Sequence, residues 1–228
     1  ETELQYLAEE CSRMKIKLRQ PDINESFTNF KVKYTNTKTK QGEIIYGLSA
    51  IKNVGEKASD DIVKERDKNG QYKGLVDFLV RVDLRLVNKK TLEGLIFAGA
   101  FDSIEKNRRK LIENLERATM FASRIKEKPE SKGQHGLFSD TPQLNGISEL
   151  RLEDFEEYDE IIKYNYEKAT LGFYLTGHPL GKYRRQIENF VNLSFGEDIN
   201  EIEPSKLDNA QMCGVISDLA IKDSKRGN

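Results

Sequence analysis

LSAIKNVGEKASDDIVKER, residues 48–66, decides how the middle of this chain is built. An apolar helix end at Leu48 and Ile51 meets a hairpin, Lys52-Asn53-Val54-Gly55, and a second helix follows with Ala58, Ile62 and Val63 turned inward. Glycine at position 55 permits close backbone approach and positive φ. Val54 can plug the gap between the two helices, and Ala58 is small where they cross. The hairpin ends at a helix N-terminus, where free amide N–H groups and the macrodipole favour a phosphate. Lys52 and Lys57 flank that point. Hairpins of this kind usually carry glycine at both ends. Here Asn53 takes the first place, and asparagine tolerates left-handed backbone better than most residues. The plain alternative is a glycine turn between two ordinary helices, with no affinity for anions.

Just downstream the grammar repeats. FLVRVDLRLVNKKTLEGLIFAGAFDSI, residues 78–104, again reads as helix, short turn and apolar helix, with Arg85, Asn88, Lys89 and Lys90 crowded at the turn. Two helix-hairpin-helix units back to back could grip both strands of a duplex across its minor groove. Such contacts go to phosphates and position a protein without reading sequence. The charge agrees: residues 31–128 hold 22 basic against 14 acidic side chains, while residues 1–30 hold 4 against 6 and residues 129–228 hold 11 against 18. A basic middle between acidic flanks points to a polyanion, although solvated helix faces of uneven charge would give the same counts.

Outward from this centre, the opening ETELQYLAEECSRMKIKL has Leu4, Leu7, Ala8, Cys11 and Met14 at helical spacing. With no initiator methionine, it reads as the start of a piece of a longer chain. NFKVKYTN and GEIIYGL around TKTKQG predict a β-hairpin. Lys128–Gly146 is polar and rich in glycine and proline, an exposed loop. Helix is expected again across Ser148–Tyr174, then an acidic linker, GEDINEIEPSKLDN, and a last segment that starts as a strand. The expected divisions are 1–30, a β-hairpin connection at 31–46, the tandem helix-hairpin-helix domain at 47–127, the loop at 128–147, a helical segment at 148–190, a linker at 191–209, and a truncated strand segment at 210–228. The fold class expected is mainly α.

Composition excludes several functions. With 37% apolar and 33% charged residues and no tryptophan, the chain buries a modest core. No apolar run approaches the roughly 18 residues of a membrane span, and no signal peptide opens the chain, so a cytoplasmic protein is expected. Cys11 and Cys213 imply no disulfide framework and share no metal-ligand spacing with His135 and His178. His178 reads as a capping or packing residue beside Gly177 and Pro179. Nucleotidyl transfer needs carboxylates holding two metal ions about 4 Å apart, and no Asp-x-Asp occurs. The carboxylate-rich RLEDFEEYDE reads as a solvated helix face.

Four stretches, in order, resemble one family: YLAEECSRMKIKLRQPDINES, YGLSAIKNVGEKA, DFLVRVDLR with VNKKTLEGLIFAGAFDS, and LGFYLTGHPL. The family is the alpha subunits of bacterial DNA polymerase III, the C-family replicative polymerases. The resemblance implies a tandem helix-hairpin-helix domain on the duplex leaving the active site, an internal peptide for the sliding clamp (the beta subunit), and an OB fold begun by MCGVISDLAIKDSKRGN. Lys52, Asn53, Val54, Gly55, Lys57, Arg85, Asn88, Lys89 and Lys90 become candidate DNA contacts. GQHGLF, residues 133–138, has the Gln-x-x-Leu-Phe form of the clamp peptide. Leu137 and Phe138 would enter an apolar pocket, each contributing about 2 kcal/mol, while Gln134 bonds the rim and His135 is a spacer. The catalytic palm with its Mg2+ is then expected upstream of residue 1, leaving this stretch without catalytic residues or cofactors, and other holoenzyme subunits are expected partners. The alternative is a stand-alone helix-hairpin-helix module of a repair nuclease or ligase, binding DNA but no clamp. A base-excision glycosylase would need a catalytic Asp or Lys behind the hairpin.

Overall fold

The computed structural model describes residues 3–36, 41–127, 150–193, 209–216 and 219, in two compact units, 1–176 and 177–228. The fold is mainly α, as the patterning implies. In the first unit α1 (Glu3–Arg13) leads into β1 (Lys17–Arg19), then β2 (Lys31–Asn36) and β3 (Gln41–Ile45). A 3-10 turn at Leu48–Ala50 precedes α2 (Glu56–Asn69), α3 (Leu75–Arg81), α4 (Lys89–Phe97), α5 (Arg108–Glu127) and α6 (Glu160–Leu171). The expected β2–β3 hairpin is present, antiparallel, with Val32 opposite Ile44. Sequence patterning misses its third strand: β1 pairs parallel to β3, Leu18 opposite Ile44. Three residues are too short to show a period of two.

The core runs from the loop before the sheet to α5. Ile23, Leu48, Ile51, Ile62, Phe78, Leu79, Leu92, Leu95, Phe101 and Leu111 are fully enclosed, each worth about 1.5–3 kcal/mol relative to exposure. Phe78 stands edge-on to both Tyr72 and Phe101, with ring centroids 4.8 and 5.0 Å apart. Polar side chains pin the loop after β1 to the helices. Arg66 of α2 donates to the carbonyls of Ile23 and Ser26 at 3.2 and 2.6 Å. Asn24 and Tyr72 exchange two bonds, 3.0 and 2.7 Å, between the Asn24 amide and the Tyr72 backbone. α1 departs from its pattern. Leu4 and Ala8 pack on the core, but Leu7 and Met14 are exposed.

Residues 150–159 are not helix. They run extended along α5, and among the described residues of the expected Ser148–Tyr174 helix only Glu160–Leu171 is helical. The cause lies in α5, which starts Arg108-Arg109-Lys110 with no acidic residue in its first turn, an unfavourable charge at the positive end of a helix dipole. The Glu157 carboxylate supplies what is missing, accepting from the backbone N–H of Arg108 and Arg109 at 3.0 and 3.2 Å. Asp154 meets Lys110 at 2.7 Å, Glu153 pairs with Arg117, and Asn114 bonds the Glu153 backbone in both directions, 2.9 Å each. RLEDFEEYDE is therefore a strap on α5 rather than a solvated helix face.

The second unit holds a 3-10 turn at Gly181–Tyr183 and α7 (Arg184–Phe190). His178 Nδ1 accepts from Leu180 N at 3.1 Å, a turn-capping role as expected. Of the segment expected to begin an OB fold, 212–228, the described residues 212–216 carry no strand, and most of the remainder lies outside the described residues. Instead Gln211 exchanges bonds with Asn192, its carbonyl accepting from Asn192 N at 3.1 Å and its N–H donating to Asn192 Oδ1 at 2.8 Å. A strand needs a ladder partner along its length, and two bonds to one residue supply none.

Candidate nucleic-acid interface

At residues 52–55 the turn forms with positive φ at Asn53, as asparagine's tolerance of that region implies, and not at Gly55. Asn53 carries the left-handed backbone, φ 67, whereas Gly55 is extended at φ −74. Asparagine is thus the conformational pivot. At position 55 neither φ nor space requires glycine within the chain: a Cβ there would meet nothing within 4 Å. Gly55 is the N-cap of α2 and brings no side chain to it, so among the described residues no side-chain cap accepts from the first amide N–H groups of the helix. Lys52, Asn53, Gly55, Glu56 and Lys57 are all exposed. Val54 is buried to 2%, the plug its sequence position implies. The preceding helix end is only the 3-10 turn, with Leu48 and Ile51 buried beneath it.

α4 closes on this hairpin. Thr91 Oγ1 donates to Asn53 O at 2.9 Å. A Cβ on Gly94 would stand 2.6 Å from Lys52 O, so the helix and the hairpin backbone touch at a residue that must be glycine. The first turn of α4 carries Lys89 and Lys90, both exposed. The two hairpins thereby adjoin, and all nine candidate contacts lie on or beside two neighbouring helix starts.

Around the second turn the side chains behave differently. Val87 is fully buried, the counterpart of Val54. Asn88 is the N-cap of α4, its Oδ1 accepting from Thr91 N at 3.2 Å. Arg85 lies flat against Asp83, Nε to Oδ1 at 3.0 Å and Nη2 to Oδ2 at 2.7 Å. The hydrogen bonds from Arg85 hold the Asp83 carboxyl down at about 2, and raise the Arg85 guanidinium in return. Lys126 of α5 reaches the Val82 carbonyl; burial lowers its pKa, against the charges of Asp83, Asp61 and Glu65. Arg85, one of the candidate DNA contacts, is thus half of a local pair.

Among the described residues no group of His, Cys, Asp or Glu could hold a metal ion, and no helix is long and apolar enough to cross a membrane. Gln134, Leu137 and Phe138 lie outside the described residues.

The motif these elements spell is matched by a helix-hairpin-helix family model over residues 15–111. The DNA polymerase III subunit alpha of Borreliella burgdorferi is 36% identical over 226 residues, 99% of this chain and 19% of that protein. The chain is homologous to one segment of the DNA polymerase III alpha subunit. The alpha subunits of Escherichia coli strain K12 and Neisseria meningitidis serogroup A, each 34% identical over 97% and 99% of the chain, match in the same way. The chain spans about a fifth of the length of these alpha subunits.

Proposed function

We propose that this chain is the part of a cytoplasmic bacterial replicative DNA polymerase that holds the duplex and ties the enzyme to its clamp. The observation that carries the first half is the exposed, uncapped N-terminus of α2 behind the Lys52–Gly55 turn, with Lys57, Lys89 and Lys90 around it. Backbone N–H groups aimed outward at a helix start bind phosphate oxygens, and lysines beside them neutralise neighbouring phosphates irrespective of sequence. Nucleotidyl transfer and its Mg2+ belong, in this reading, to polypeptide outside the 228 residues.

The clamp half rests on the form of residues 134–138 alone. Leu137 and Phe138 would anchor in an apolar pocket of the clamp, and the tether would raise the local concentration of polymerase at the primer end between dissociation events. Two titrations test the two halves. Duplex affinity measured across salt concentration should fall steeply, and Lys89→Ala should flatten the slope of log affinity against log salt by about 0.9. A flat wild-type profile would refute the duplex reading. Binding to a purified bacterial sliding clamp should be abolished by the Leu137→Ala/Phe138→Ala pair, and equal binding in both forms would refute the clamp reading.

A further inference from the structure

The first hairpin is held from a third side, by a helix outside the matched motif. Lys52 N donates to Thr170 O of α6 at 2.9 Å. Thr170 is the penultimate residue of α6, so its carbonyl is one of those a helix end leaves without an internal partner. The Lys52 backbone is thus held on both sides, its N–H by α6 and its carbonyl oxygen against Gly94 of α4. Lys52 immediately precedes Asn53, the one hairpin residue with left-handed backbone. α6 itself is locked to the body by a buried ionic node. Glu167, 1% exposed, accepts from Arg108 Nη2 at 3.0 Å, from Thr176 Oγ1 at 2.7 Å and from Thr176 N at 3.1 Å. Arg108 also grips Asp102 with two bonds, 3.0 and 2.7 Å, and the Phe97 carbonyl at 3.1 Å. Tyr166 stacks on Phe97, centroids 4.0 Å apart.

We propose that α6 is a positioning element of the duplex-binding site, with Glu167 the residue that sets it. The site is then discontinuous: a helix that follows α5 and its strap completes a hairpin formed over a hundred positions earlier. Without α6, the Lys52 peptide loses its acceptor and the turn at Asn53 can swing, misaligning the α2 amides and Lys52 together. This inference rests on the duplex-binding reading, and the test separates the two.

In the full chain, Glu167→Gln removes the charge opposite Arg108 and one of the two acceptor oxygens in the node, and Thr176→Ala removes one donor while leaving the Arg108 pairs intact. Amide hydrogen exchange is followed at Lys52 and at Thr91, whose backbone N–H is held by Asn88 instead. Exchange at Lys52 should quicken about tenfold in Glu167→Gln and less in Thr176→Ala, with Thr91 unchanged. Duplex affinity should fall in the same order, by about threefold to thirtyfold for Glu167→Gln. Unchanged Lys52 exchange in both variants would overturn the proposal, as would faster Lys52 exchange with wild-type affinity. A wild-type chain that binds no duplex would sink the functional reading, while the Lys52 exchange would still decide whether α6 sets the hairpin. Should Glu167→Gln fail to fold, Thr176→Ala alone carries the test.

Discussion

The two hairpins share a plan and differ in how each helix start is finished. Both bury a valine just before the cap, Val54 in one and Val87 in the other. The first ends in Gly55, leaves α2 uncapped, and is packed hard by α4 and α6. The second ends in Asn88, which caps α4 with its own side chain, and sits over a cleft of about 190 Å3 between α4 and α5. The first spends rigidity on presenting bare amides; the second satisfies its own amide and contributes lysines. On the duplex-binding proposal, a phosphate would gain most at the first.

Wedging the first hairpin off its support should have the largest effect. In an open helix Gly→Ala gains about 1 kcal/mol. At Gly94 the added Cβ would meet Lys52 O at 2.6 Å, and a backbone oxygen wedged between two helices has little room to yield. Overpacking of this kind costs about 1–3 kcal/mol, so Gly94→Ala should show net destabilisation in urea unfolding together with a duplex affinity down by about tenfold or more. A stabilised Gly94→Ala would mean that the hairpin is looser than its contacts imply.

Next comes a direct exchange of character. Gly55→Asp would give α2 the side-chain cap that α4 already has. Neither φ −74 nor the open space at this site opposes the change. Stability should hold or rise by a few tenths of a kcal/mol, while the new carboxylate stands where a phosphate would and lowers duplex affinity by about tenfold. The reverse swap, Asn88→Gly, should cost only a few tenths of a kcal/mol and change affinity by less than about twofold. Equal losses of affinity from the two swaps, read by fluorescence anisotropy, would erase the asymmetry.

What the sequence shows of this site is local, and what it hides comes from far away. The hairpin, its valine plug, the helix start and the lysines are all legible within residues 48–66 and 78–104, because each follows from a neighbour's size or backbone freedom. Gly94 as the contact point, Thr170 as the acceptor and the Arg108 partner of Glu167 are not, since each of these contacts spans 40 or more positions. The strap was misread because RLEDFEEYDE has the composition of a solvated helix face. One signal was available: three basic residues, Arg108-Arg109-Lys110, at a helix start demand a carboxylate from elsewhere. The exposure of Leu7 and Met14 carries no such signal, since helical spacing tells which residues share a face but not whether anything covers it.

The smallest expected effect sharpens the second hairpin. Arg85 is 91% exposed, yet its Nε/Nη2 edge lies against Asp83. The carboxyl's pKa sits below its unfolded value, so the pairing is complete above the ordinary carboxylate range and is lost only as pH falls through about 2. At neutral pH, Arg85 is therefore bound to its neighbour through that edge, and a phosphate seeking the same edge must compete with Asp83. Asp83→Asn removes the competitor. Duplex affinity at neutral pH should rise about twofold, and the salt slope should steepen by up to about 0.9 if Arg85 then meets one phosphate. Removing a negative charge near the duplex would raise affinity by itself, so the comparison needs Asp83→Asn/Arg85→Ala beside it. Should the double variant keep the whole gain and slope, Arg85 was never held back, and the second hairpin works through Lys89 and Lys90 alone.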